Sequence, residues 1–253
     1  MCAAPGGFLA TALRFNPKGR FLAFSLPEAM GGHKVQLQRR PNVKLRFMDI
    51  TMLAADMGVT DIPAEHPDAA NFLPRKFTDG QVFDLILCDG QVLRTHARAS
   101  YREKREARRL IVTQLALALE HVRPGGTMVV LLHRVESWET VSLLHTFSKF
   151  SSIQLFKSQN AHATRSSFYM VTTNIQRRHP DAMSAVEGWK TVWKIATFGT
   201  DEEYWKMICE SESRVGAVLE EFGPQLIELG RDIWGIQARA LARAPWLNSK
   251  ESQ

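Results

Sequence analysis

Two rhythms of apolar and polar positions run along this chain, and one gives way to the other near Pro180. Before it, short apolar runs recur, each bounded by turn residues. Residues 8–13 form an apolar, helix-forming segment after a run of small residues, and Asn16-Pro17-Lys18-Gly19 is a turn. Residues 20–26 are mostly apolar and predict a strand covered on both faces. Residues 42–50 alternate and predict a second strand, which ends at Asp49. Residues 51–80 predict a helix and a long loop containing Pro and Asp. Residues 82–90 read as a buried strand with an acid, Asp89, at its C-terminal end. A long helix follows over 100–121, closed by Arg123-Pro124-Gly125-Gly126. After it come a buried strand over 127–133, a helix over 138–150, and strands over 153–157 and 167–174.

Beyond Pro180 the strand pattern stops, and helices are expected over 181–198, 201–222 and 224–244. Thr200 and Glu203 have the spacing of a capping box, and Gly223-Pro224 reads as the boundary between two helices. Five of the six tryptophans (Trp189, Trp193, Trp205, Trp234 and Trp246) fall in this stretch, at the helical spacing of a packed core. The pattern predicts an α/β domain over residues 1–178 and a helical extension over 179–253. Strands alternating with helices make a doubly wound, mostly parallel sheet. Such sheets bind ligands at the carboxyl ends of their strands. The Gly6-Gly7 loop, Asp49 and Asp89 all fall at that edge. A lone acid there is ordinarily a helix N-cap; three such features together read as a cofactor pocket.

Composition narrows the class. With 45% hydrophobic and 23% charged residues in 253, the chain is of ordinary globular type. No apolar run is long enough to span a bilayer, and no secretory leader pattern precedes the first motif, so an intracellular protein without a membrane anchor is expected. The cysteines Cys2, Cys88 and Cys209 form no CxxC pair and the eight histidines show no HxH or HExxH spacing, so no metal is expected. A net charge of +6 permits a polyanionic partner such as RNA. Arg94, Arg98, Arg102, Arg105 and Arg109 recur every three or four residues. On one helix they make either a substrate-binding phosphate ridge or a solvated face.

The segment Cys2-Ala3-Ala4-Pro5-Gly6-Gly7-Phe8 resembles the S-adenosylmethionine loop of FtsJ-like ribose 2′-O-methyltransferases. Phe83 to Gly90 resembles that family's fourth motif, Arg123 to Val130 its later Gly-Gly strand, and Arg165 to Val171 its last strand. The resemblance covers about residues 1–175. It implies a Rossmann-like methyltransferase sheet, S-adenosylmethionine as cofactor and RNA as partner. The Ala4-Pro5-Gly6-Gly7-Phe8 loop would hold the methionine part of the cofactor. Asp49 would accept the adenine amine, and Asp89 would sit beside the methyl donor. Ser25 stands where relatives carry an acid toward the ribose.

The departures bear on catalysis. The family's chemistry rests on a Lys-Asp-Lys-Glu group, of which Asp89 matches the aspartate. The second lysine falls on Leu131 and the glutamate on Ser167, while the first lysine and the first strand of the sheet would precede Met1. A sheet lacking that strand would have unpaired edges, with poor stability and weak cofactor binding expected. His133, two residues along the strand from Leu131, is the nearest polar substitute. Three functions stay open: an RNA ribose methyltransferase, a methyltransferase for another substrate, and an inactive relative that binds RNA or protein.

Overall fold

The computed structural model describes residues 1–244; Trp246 lies outside the described residues. In chain order the helices and strands are α1 (Gly7–Phe15), β1 (Phe21–Ser25), β2 (Val43–Phe47), β3 (Phe83–Cys88), α2 (Glu106–His121), β4 (Val122–His133), α3 (Trp138–Ser148), β5 (Ser152–Phe156), β6 (Ser167–Thr173), α4 (Pro180–Phe198), α5 (Asp201–Glu212) and α6 (Val215–Ala242). The fold is α/β with a helical C-terminal region, as the pattern predicts. It divides into two compact units, one of residues 1–82, 86–121 and 185–204, the other of 83–85, 122–184 and 205 onward.

In the first unit β1 and β2 pair in parallel, Phe21 opposite Val43 and Ser25 opposite Phe47. Leu9 and Leu13, one helical turn apart on α1, pack with Ala23 of β1, and Ala3, Phe21, Leu37, Val43 and Leu45 surround them. Residues Met1–Ala3 lie between β1 and β3. The Met1 amine donates to Leu87 O, Asp89 N donates to Met1 O at 3.3 Å, and Ala3 N donates to Phe24 O at 2.7 Å. They run where a doubly wound sheet has its first strand.

No α-helix forms between residues 51 and 80, contrary to the prediction; only two three-residue 3-10 turns do, Ile50–Met52 and Ala69–Asn71. Pro63, Pro67 and Pro74 break the helical ladder. The segment is held by long-range bonds, with the Asp56 carboxylate accepting from Lys76 N (2.9 Å) and Phe77 N (3.1 Å), and Leu73 N donating to Met52 O (2.8 Å). α2 also starts later than expected, at Glu106, after a 3-10 turn at Ser100–Arg102. α4 closes this unit through Trp193, which is fully buried and donates from Nε1 to Thr51 O at 3.0 Å. That bond supports the core reading of this tryptophan.

In the second unit the strand order is β3-β4-β6-β5, with β6 antiparallel to both β4 and β5. Met128, Val130 and Leu132 bury one face of β4, while α3 buries Val141, Leu144 and Phe147. The expected break at Gly223-Pro224 does not occur, and Pro224 lies inside α6. An internal proline costs a helix about 3 kcal/mol. Here Phe222, Leu226, Gly230 and Ile233 form a buried stripe across it that holds the helix together. The capping box at the start of α5 forms in both directions, Thr200 N to Glu203 Oε2 at 2.8 Å and Glu203 N to Thr200 Oγ1 at 3.2 Å.

Candidate cofactor site

Local chemistry dictates the opening loop. Gly6 has φ +124°, a conformation that costs glycine little, and a side chain there would strike Leu37 at 2.8 Å. Gly6 is the N-cap of α1 and has no side chain to cap it, and Ala10 N to Gly6 O (2.8 Å) closes the first helical turn. The N–H groups of Gly7 and Leu9 precede that bond, and space is open where a side chain on Gly7 would project. The first turn of α1 therefore offers donors and the positive end of a helix dipole, which suits a carboxylate. Leu37 covers Gly6, and Gln36 N donates to Pro5 O at 2.8 Å. Any ligand is thus received on the Gly7 side.

The same edge carries the ends of β1 and β2. Ser25 is buried at the last position of β1. Asp49, just past β2, caps the following 3-10 turn. Its Oδ1 accepts from Thr51 N (2.9 Å) and Thr51 Oγ1 (2.7 Å), and its Oδ2 pairs with Arg102 at 3.1 Å. The N-cap reading of this acid is what its geometry shows.

Asp89 follows β3 on a loop gripped from α2. The fully buried Gln114 accepts from Gly90 N through Oε1 (2.8 Å) and donates from Nε2 to Gly90 O (3.1 Å). A side chain on Gly90 would meet Gln114 Oε1 at 2.8 Å, so glycine is required for the clamp. Cys88, beneath it, is fully buried and its thiol is pushed up to about 12, so it is not a nucleophile. Sequence reasoning missed Gln114. The only signal was a glutamine inside the apolar run of α2.

The arginine series does not form one exposed ridge, because the helix begins at Glu106, after its first four members. Arg94 is exposed. Arg98 folds back to donate to Leu93 O (3.2 Å) and His96 O (3.3 Å). Arg102, expected to bind substrate phosphate, is buried among Asp49, Asp68 (3.2 Å) and Glu106 (3.2 Å). Arg105 is buried and pairs with Asp201, and Arg109 is buried against Glu106 at 2.7 Å. An inward guanidinium is retained where three carboxylates desolvate with it.

Burial alone would raise the Asp68 carboxyl. Hydrogen bonds from Asn71 (2.8 Å) and Tyr101 (2.9 Å), with the charge of Arg102, outweigh it and hold the carboxyl below its ordinary value of 3.8. A depressed folded value contributes stability that is fully present above 3.8 and is lost as pH falls through the folded value. Urea midpoints of the intact chain should therefore hold from pH 7 to 5 and drop below pH 4, and Asp68→Asn should flatten that drop. An unchanged acid limb would exclude Asp68 as its source.

His133 ends β4 in the second unit, opposite Ser167 of β6, with Leu131 opposite Tyr169. Leu131 and His133 share the less buried face of the strand, as its alternation predicts. His133 Nδ1 lies 3.5 Å from Ser166 Oγ. Burial, then the charges of Arg134 and Lys157, push the imidazole below its ordinary value, so it is neutral at pH 7. Lys157, also missed, is buried and donates from Nζ to Arg165 O (2.6 Å) and Ser167 O (2.7 Å). Among the described residues no group of three or more His, Cys, Asp or Glu could hold a metal ion, and no helix is long and apolar enough to cross a membrane.

Two solved structures are similar over about two thirds of this chain. One, described as a ribosomal RNA methyltransferase from Plasmodium falciparum, is 14% identical with a TM-score of 0.36, over 68% of this chain and 97% of its own. The other, described as alphavirus P23pro-zbd, is 12% identical with a TM-score of 0.33, over 69% of this chain and 24% of its own. This chain thus spans about a quarter of that viral polypeptide. No curated protein sequence matches. The family model described as FtsJ-like methyltransferase matches residues 1–175. With that match covering more than half of its length, the chain belongs to the FtsJ-like methyltransferase family.

Proposed function

We propose that the chain binds S-adenosylmethionine and methylates a ribose 2′-hydroxyl of RNA. The observation that carries this reading is the start of α1, where left-handed Gly6, the early N–H groups and the open space at Gly7 share one strand edge with Ser25 and Asp89. Donors at a helix start fit the carboxylate of the cofactor's methionine part. The cofactor would supply an electrophilic methyl group. Asp89 is the acid proposed beside it, held by the Gln114 clamp on Gly90. A ribose hydroxyl must lose its proton as it attacks, and a neutral imidazole such as that of His133 is a competent acceptor at pH 7. A second reading, binding without transfer, is favoured by the resemblance described above, which puts Leu131 and Ser167 where the family carries a lysine and a glutamate.

Equilibrium binding of S-adenosylmethionine and transfer of a tritiated methyl group to total RNA test both readings. Asp89→Asn should weaken cofactor binding more than tenfold. His133→Ala should leave binding intact and lower transfer by about 100-fold, the usual contribution of a general base. Binding without transfer by the unaltered chain would establish the second reading. Absence of binding would overturn both.

A further inference from the structure

The positive charge of this molecule is concentrated in one place. Residues 1–48 contain eight Lys and Arg and a single acid, Glu28, whereas residues 49–253 contain 24 Lys and Arg against 25 acids. The whole net charge of +6 therefore arises from the stretch that builds α1, β1 and β2. Most charge runs are solvated faces whose cations and acids alternate; this one lacks the acids.

The fold gathers the cations at one end. α1 finishes at Phe15, and the turn after it leads into β1. β2 starts in register with β1, so residues 16–20 and 39–42 meet at the amino ends of the two strands. Asn42 fastens that meeting, donating from Nδ2 to Pro17 O (3.1 Å) and Gly19 O (2.8 Å), while Phe21 N donates to Asn42 O (2.9 Å). Arg14, Lys18, Arg20, Arg39 and Arg40 are exposed around this knot, and among the described residues none of them makes an ion pair. Beside them Phe15 is 71% exposed, with the Arg14 guanidinium 4.9 Å from its ring centroid. An isolated phenylalanine on a surface needs no explanation. One laid under a guanidinium, inside a ring of unpaired cations, forms a flat apolar platform within a positive field.

We propose that this end of the first unit is a docking surface for single-stranded RNA, separate from the cofactor edge. Cations without acids neutralise phosphates and release counterions. An exposed aromatic plane stacks with an unpaired base, the combination by which single strands are held without sequence preference. The cofactor edge lies at the opposite, carboxyl ends of β1 and β2. A five-residue strand rises about 16 Å, so a strand of a few nucleotides reaches from one end to the other. The proposal rests on the RNA reading above for the choice of polyanion, and it assigns the docking to a different face from the arginines after β3.

The test is fluorescence anisotropy of a labelled 20-nucleotide oligouridylate with the full chain over a series of salt concentrations. Arg39→Glu with Arg40→Glu should weaken binding at least tenfold and reduce the slope of log affinity against log salt by about 1.4, since each phosphate contact on a single strand contributes about 0.7. Phe15→Ala should weaken binding at fixed salt and leave the slope unchanged. S-adenosylmethionine binding, measured in parallel on the same variants, should not move; if it fails in the unaltered chain while the oligonucleotide still binds at this surface, the methyltransferase reading falls and the docking surface stands. Oligouridylate binding with unaltered affinity and slope in the double variant would overturn the proposal. So would binding of the unaltered chain to phosphatidylserine vesicles with none to the oligonucleotide.

Discussion

Arg102→Met lowers the unfolding free energy of the chain by about 3–5 kcal/mol, the range observed when one partner is removed from a buried ion cluster. The guanidinium lies within 3.2 Å of three carboxylates, those of Asp49, Asp68 and Glu106, and is almost wholly buried with them. Methionine fills much of its volume and answers none of their charge. Arg109 already pairs with Glu106 and donates to Thr51 O at 3.2 Å and Thr197 Oγ1 at 3.0 Å, so it cannot relieve the other two acids. Arg102→Lys keeps the charge and loses the planar fork that reaches several carboxylates at once, and an intermediate loss is expected. Exposed Arg94, changed to Met, should stay within about 0.5 kcal/mol of the parent. Urea unfolding of the three variants at pH 7 decides the matter. If Arg102→Met were as stable as the parent, the cluster would not hold this unit together.

That contrast explains why the arginine series misleads when read as a sequence. Five arginines at spacings of three and four satisfy a helical face, but only if one helix carries all of them. The helix starts at Glu106, and what stops it earlier is the long-range pull of Asp49 and Asp68 on Arg102. Nothing in the local pattern announces partners 53 and 34 residues away. The same limit applies between residues 51 and 80, where prolines and the distant bonds of Asp56 override a weak helical tendency. Apolar strands are more legible because their apolar runs and alternation lie within the strand itself, although β3, expected to be buried, fully buries only Cys88 and leaves Leu85 46% exposed. β1, β2, β3 and β6 fall within the runs that predict them, β5 starts one residue before its run, and β4 starts at Val122, taking in the Arg123-Pro124-Gly125-Gly126 stretch read as the end of a helix. Of the candidate site, the Gly6-Gly7 loop and the two strand-end acids are readable because glycine and strand ends have local signatures. The engagement of Asp49 with Thr51 and Arg102 is not, since an acid after a strand looks the same whether it caps a turn or awaits a ligand. Pro224 shows the converse error: a strong local breaker lies within a 28-residue helix because the stripe of Phe222, Leu226 and Ile233 is packed on both sides of it.

Gln114→Leu should cost about 2–4 kcal/mol, from two hydrogen bonds of about 1 kcal/mol each and the added penalty of leaving Gly90 N–H and C=O short of partners. Leucine matches glutamine closely in size, so the loss reports the bonds and not a cavity. Its larger consequence concerns Asp89. The clamp closes a ring between α2 and the residue after Asp89, and the backbone bond from Asp89 N to Met1 O fixes the other side. With the clamp gone, the loop that carries Asp89 loses its tie to α2, and S-adenosylmethionine affinity should fall at least tenfold, equivalent to about 1.4 kcal/mol. Gln114→Glu separates the two bonds, since a carboxylate still accepts from Gly90 N but repels Gly90 O; it should lose affinity as well. Val112→Ala, a buried change on the same helix without a bond to the loop, serves as the control for stability alone. It should lower the urea midpoint and leave cofactor affinity unchanged. Equal losses of affinity in Val112→Ala and Gln114→Leu would reduce the glutamine to part of the core and sever it from the site.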